Sequence, residues 1–135
     1  MVFTGRTEEG KRRVVRVNGN VLALPALGRG EARHSPDGFN WGYGGSGPAE
    51  LARAILVAVL PGDRAVRRPA CYQRFNTAVI SALGESWALT EQDVLTWVES
   101  WRASEPGREV EEFLRVTDRL GPGSEEARAE WEGGG

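Results

Sequence analysis

A single cysteine, Cys71, a single histidine, His34, and a single lysine, Lys11, are all that the 135 residues hold of these three types. One cysteine excludes an internal disulfide, and one cysteine beside one histidine leaves no Cys- or His-rich zinc site. No run reaches the roughly 18 apolar residues that a membrane-spanning helix needs. The opening stretch MVFTGRTEEG lacks the basic-then-apolar order of a secretory signal. The expectation is a cytoplasmic protein with no membrane association, no metal and no cofactor. With so little lysine, 16 of the 17 basic residues are arginine, a bias that points to genome composition more than to mechanism.

What is present suits one domain with a modest core: 40% of the residues are hydrophobic and 27% are charged. The net charge of −2 conceals an asymmetry. Residues 1–68 carry 11 basic and 6 acidic side chains, a net +5, whereas residues 69–135 carry 6 and 13, a net −7. A basic half attracts anions, and an acidic half can imitate nucleic acid and fill a basic channel. The same charges can equally decorate solvated faces.

The order of elements reads as α+β. Val2-Phe3-Thr4 and Arg12 to Val17 are β-like, and Asn18-Gly19 after them is a hairpin signal because both residues take positive φ. Asn20 to Leu24 is then the return strand, which completes a three-stranded antiparallel sheet. Pro48 suits the first turn of a helix over 48–60, with Ser46 or Gly47 as its cap. That helix is apolar almost all round, with only Glu50 and Arg53 breaking the pattern. It is either central to a core or buries a face against a partner, and a homodimer is one such arrangement. Further helices are expected over 70–83, 91–102 and 109–120, the second of these opened by the capping box Thr90-Glu91-Gln92-Asp93. Trp87 and Leu89 add a short strand or plug the core. The domain is expected over 1–103. A linker and an amphipathic helix fill 104–120, and an acidic, glycine-rich mobile tail covers 121–135.

The stretch HSPDGFNWGYGGSGPAELARAIL, His34 to Leu56, holds the candidate site. Ser35-Pro36-Asp37-Gly38 fits a β-turn. A glycine-rich loop then runs into a helix N-terminus, where unpaired amides and a partial positive charge favour anions. Gly45, Ser46 and Gly47 supply backbone groups. Trp41 and Tyr43 offer rings to stack, and Arg33 and His34 add charge and donors. These seven residues describe a pocket for a nucleotide or another small anion. They also read as an elaborate turn, in which glycines bend the chain and aromatics cover the sheet. The loop is neither a Walker A motif nor a dinucleotide fingerprint. A Ser-His-Asp assembly from Ser35 or Ser46, His34 and Asp37 within one loop is geometrically unfavourable, so an enzyme is not the expectation. Arg12, Arg13 and Arg16 come without a helix-turn-helix or RNA-recognition pattern, so nucleic acid is not an expected partner.

The run His34 to Ala52 resembles the signature of a small domain-of-unknown-function family of bacteria and phages. The order of the flanking pieces is similar too: Gly5-Arg6 and Val17-Asn18-Gly19 before it, then Tyr72-Gln73-Arg74-Phe75, Trp87-Ala88-Leu89 and Val94 to Trp97. The resemblance covers residues 1 to about 102 and departs at Asn76, where lysine is common. It implies a mobile-element setting, and with it a non-enzymatic binding protein. The alternative is an inhibitor or adaptor that acts on a host or defence protein through its acidic C-terminal half.

Overall fold

The computed structural model describes residues 1–10, 12–35 and 38–120. Strands β1 (Val2–Glu8), β2 (Arg12–Val17) and β3 (Asn20–Val21) are followed by helices α1 (Ser46–Val59) and α2 (Pro69–Ala78). Strand β4 (Trp87–Thr90) and helices α3 (Glu91–Ala103) and α4 (Glu105–Leu120) complete the order. The sheet is antiparallel throughout, in the order β3-β2-β1-β4. This is the α+β architecture expected, with a fourth strand added to the three.

The hairpin follows its sequence. Asn18 and Gly19 have φ of 50° and 84°, the pair of positive values a tight two-residue turn requires. The return strand is shorter than expected. Only Asn20 and Val21 pair with β2, and Leu22 adds one last bond to the Val15 carbonyl before the chain leaves toward Pro25. β4 lies against β1, with Trp87 opposite Gly5. A Cβ at Gly5 would stand 2.3 Å from Trp87 Cε2, so the glycine is what lets the indole lie across the strand.

Alternation along β1 gives the sheet two unlike faces. Phe3 and Gly5 are buried, whereas Val2, Thr4 and Arg6 are exposed, as are Ala88 and Thr90 on β4. Beneath the buried face lies α1, with Leu51, Ile55 and Leu56 wholly enclosed. Each such side chain contributes about 1.5–3 kcal/mol. α1 is therefore a central helix of the fold, buried from Gly47 to Leu56 and half-buried from Val57 to Leu60.

The boundaries differ from the sequence reading most in three places. α2 ends at Ala78, and a 3-10 turn over Ile80–Ala82 replaces its last residues. α1 starts two residues early, at Ser46. No linker separates α3 from α4. Ser104 alone lies between them, and its hydroxyl accepts from the Gly107 N–H at 3.3 Å, as an N-cap does. Pro106 and Gly107 both sit in the first turn, where proline costs nothing. Gly107 is demanded by contact, because a Cβ there would fall 2.0 Å from the Trp101 carbonyl oxygen. α4 packs on α2 and α3, burying Val110 and laying the Phe113 ring against the Arg68 guanidinium at 4.4 Å. The predicted tail, 121–135, lies outside the described residues, as do Pro36 and Asp37 of the predicted turn.

Candidate functional site

The described residues between Leu22 and Gly45 form no helix or strand, so side chains must hold them. The first anchor is a buried ionic network. Glu50 and Arg53, one turn apart on α1, are 0% and 1% exposed. Arg53 donates to Glu50 through Nη2 at 2.8 Å and Nε at 3.2 Å, and to Glu31 through Nη1 at 3.1 Å. Arg67 donates to the same Glu31 carboxylate through Nε and Nη2, both at 2.8 Å, and to the Ala26 carbonyl. Glu50 also accepts the His34 N–H at 3.0 Å and lies 3.7 Å from Arg33 Nη1. The irregular segment is thus tied to α1 by charge. Buried charges persist only when paired and hydrogen-bonded, and here each carboxylate meets two or more donors.

Electrostatics follow from this arrangement. Burial alone would raise the Glu31 pKa, but hydrogen bonds from Arg67 and the Gly28 N–H, with the charges of Arg67 and Arg53, bring it below the ordinary carboxylate value. His34 Nε2 and the Tyr72 hydroxyl lie 2.6 Å apart, in an edge-on ring pair. Burial raises the Tyr72 phenol pKa, opposed by Arg53 and aided by Glu50 and Glu31. Tyr72 thereby stays neutral and serves His34 as a hydrogen-bond partner.

The second anchor is Arg13, on β2. Its Nη1 donates to Asn40 Oδ1 at 2.8 Å and to the Trp41 carbonyl at 2.7 Å, and its guanidinium sits 4.5 Å from the Trp41 ring. Trp41 is 1% exposed. Its indole N–H donates to the Gly84 carbonyl at 2.7 Å, and its ring meets Trp87 edge-on. The Gly42 N–H then bonds the Ile80 carbonyl, with φ of 83° at Gly42.

The seven predicted residues consequently occupy three places. Arg33 and His34 belong to the Glu50 network. Trp41 is a core residue, and its ring offers no free face for stacking. Tyr43 is 48% exposed, and its ring lies over Gly45, where a Cβ would meet Tyr43 Cε2 at 2.7 Å. Gly45, Ser46 and Gly47 open α1. No side chain caps that end and its first turn holds no acidic residue, so within that turn no carboxylate answers the partial positive charge of the helix start. A recess of about 530 Å³ lies on the Tyr43 side of the loop, walled by Arg13, Asn40, Trp41, Gly42, Tyr43, Leu83, Gly84 and Glu85, with Gly45, Ser46 and Gly47 outside its wall. Arg13 and Glu85 were not among the predicted site residues. The pairing of β2 with β1 and the turn after Ile80 bring them in, and no local motif announces either. Among the described residues no three His, Cys, Asp or Glu side chains gather as a metal site requires.

A small sheet backed by four helices, with one irregular segment pinned by ionic and indole anchors, defines the class: an α+β domain with an open glycine loop at the start of its central helix. The chain belongs to the family of unknown function DUF6166, whose model matches residues 3–100. The match ends within α3, so α4 lies beyond it. No curated protein and no solved structure matches the chain. No helix among the described residues is long and apolar enough to cross a membrane.

Proposed function

We propose that the chain is a small non-enzymatic binding protein, of the phage or mobile-element type that the sequence resemblance implies. Its ligand is a small anion, in its fullest form a nucleotide. The observation that carries this reading is the open start of α1. That end has no capping side chain and no acidic residue in its first turn, and it lies beside an exposed tyrosine that shares the wall of a recess with Arg13. An anion at the Ser46 and Gly47 amides would meet the donors that the first turn leaves unpaired. The Tyr43 ring would lie against a base.

Adenosine monophosphate, titrated into the protein with amide chemical shifts as readout, tests this. Ser46→Pro removes one donor while keeping the helix, because proline suits this position and the preceding Gly45 is already extended. Tyr43→Ala removes the ring. The expectation is saturable shifts over 42–47, weakened about tenfold or more by either variant. Shifts that both variants leave unchanged would refute the reading.

One observation favours the adaptor alternative. Glu105, Glu109 and Glu112 are exposed and spaced along one side of α4, beyond the family match. A partner held by that stripe is lost on Glu109→Arg with Glu112→Arg, and neither substitution touches the glycine loop.

A further inference from the structure

The face of the sheet turned away from α1 is open along β1, and it is basic. Along β1 it presents Val2, Thr4, Arg6 and Glu8, and Val14 of β2, opposite Arg6, is buried on it. Arg16 on β2 and Ala88 on β4 flank Thr4 on either side. Arg6 donates through Nε to Glu8 Oε2 at 2.9 Å, and Arg16 donates to both oxygens of the same carboxylate. Those hydrogen bonds hold the Glu8 pKa down at about 2, so it stays ionised and keeps two guanidinium groups side by side. Beside them is a recess of about 570 Å³ lined by Thr4, Gly5, Arg6, Arg16, Ser86, Trp87 and Ala88. Glu8, whose carboxylate accepts from both arginines, does not line the recess.

The wall is therefore of one sign. It combines two arginines with the hydroxyls of Thr4 and Ser86 and the backbone of the short edge strand β4. Two other surface recesses differ. The one beside Tyr43 includes Glu85, and one between α4 and the 62–65 turn mixes Asp63, Glu111 and Asp118 with three arginines. Arginine binds phosphate through forked N–H groups, and two of them held together by a shared carboxylate lose less side-chain freedom when a ligand arrives. Arg6, with its side chain 67% exposed, spends only Nε on Glu8. The recess is larger than a lone tetrahedral oxyanion fills and falls in the range of small-molecule sites.

We infer that this recess beside the sheet is a second oxyanion site, and that it takes the phosphate of a small soluble phosphate ester against the N–H groups of Arg6 and Arg16 that Glu8 leaves free. It is independent of the site at α1, since the two recesses share no residue.

The test is a titration of the full chain with inorganic phosphate and with ribose 5-phosphate at fixed ionic strength, read by amide and arginine side-chain shifts. Arg6→Gln, Arg16→Gln and Arg12→Gln are compared. Arg12 is on the same face opposite Glu8 but outside the recess. Expected are saturable shifts at 4–6, 16 and 86–88. They weaken at least about tenfold in Arg6→Gln and Arg16→Gln and persist in Arg12→Gln, with the ester bound tighter than the free ion. Shifts that never saturate, that fall equally in all three variants, or that appear only at 42–47 would overturn the inference. Unchanged thermal melting of each variant shows that a lost signal is not a lost fold.

Discussion

Replacing Glu50 by glutamine probes the principal tie between α1 and the irregular segment. The carboxylate is fully buried. It takes two donors from Arg53 at 2.8 and 3.2 Å and the His34 N–H at 3.0 Å, with Arg33 Nη1 a further 3.7 Å away. Removing one member of a buried ion pair costs about 3–5 kcal/mol, because the other charge is left uncompensated. Two features place Glu50→Gln at the low end. Arg53 keeps Glu31 at 3.1 Å, and the glutamine oxygen still accepts one donor. The expected loss is about 3 kcal/mol, or roughly 10 °C in melting temperature for a domain of this size. Urea unfolding followed by tryptophan fluorescence reads it as a lower midpoint with an unchanged slope. The double variant Glu50→Gln with Arg53→Gln closes a cycle. Removing both charges should cost at least about 1 kcal/mol less than the two single losses added together. A single variant within about 1 kcal/mol of the parent, or strict additivity in the cycle, would refute the view that this network pins the segment.

The pH dependence has a definite sign. Glu31 has a folded-state pKa below its ordinary value of 4.5, so its stabilisation is full above that value and is lost as the pH falls through the folded pKa. Acid unfolding should therefore begin below about pH 4.5, and Glu31→Gln should flatten that limb while lowering stability at pH 7. Cys71 behaves in the opposite sense. Burial first, with Asp63 adding and Arg102 opposing, pushes its thiol up to about 12. Iodoacetamide at pH 8 should leave it unmodified until the protein is denatured, and rapid native labelling would contradict the burial. Gly5→Ala puts a Cβ 2.3 Å from an indole already packed edge-on against Trp41. It should destabilise by about 1–3 kcal/mol, and a melting temperature equal to the parent's would show that the ring has room to move.

What the sequence made legible was local. Asn18-Gly19 and the capping box at Thr90 need only neighbouring residues, and both form, the latter with reciprocal bonds between Thr90 and Asp93. β4 was only half readable. Its four residues pair with a strand more than 80 positions earlier, and no local pattern encodes that register. The ionic network was hidden for the same reason: Glu50 and Arg53 share α1, but Glu31 and Arg67 come from separate segments. One signal was in view. Two opposite charges one turn apart on an otherwise apolar helix must either break its burial or pair within it. The stretch expected as a linker before 109 is instead the first turn of α4, because the Ser104 hydroxyl caps it and Gly107 permits a close backbone contact.

The glycine loop can be divided by what the fold itself demands. Gly42 needs its residue type for a φ of 83°, and a Cβ at Gly47 would stand 2.8 Å from Asn40 Cβ. Trp41 is committed to the core. Those positions would be required even if the loop bound nothing. Gly44 differs: a Cβ there meets nothing within 4 Å, and its φ lies outside the positive range. Gly45 is constrained only by the Tyr43 ring above it, the far end of a movable side chain. Ser46 is exposed and caps nothing. Packing thus accounts for Gly42, Gly47 and Trp41, and leaves Tyr43, Gly44 and Ser46 without a structural reason to be what they are. These three lie together at the open start of α1, where a ligand's close approach to the backbone would explain a glycine that the fold does not need.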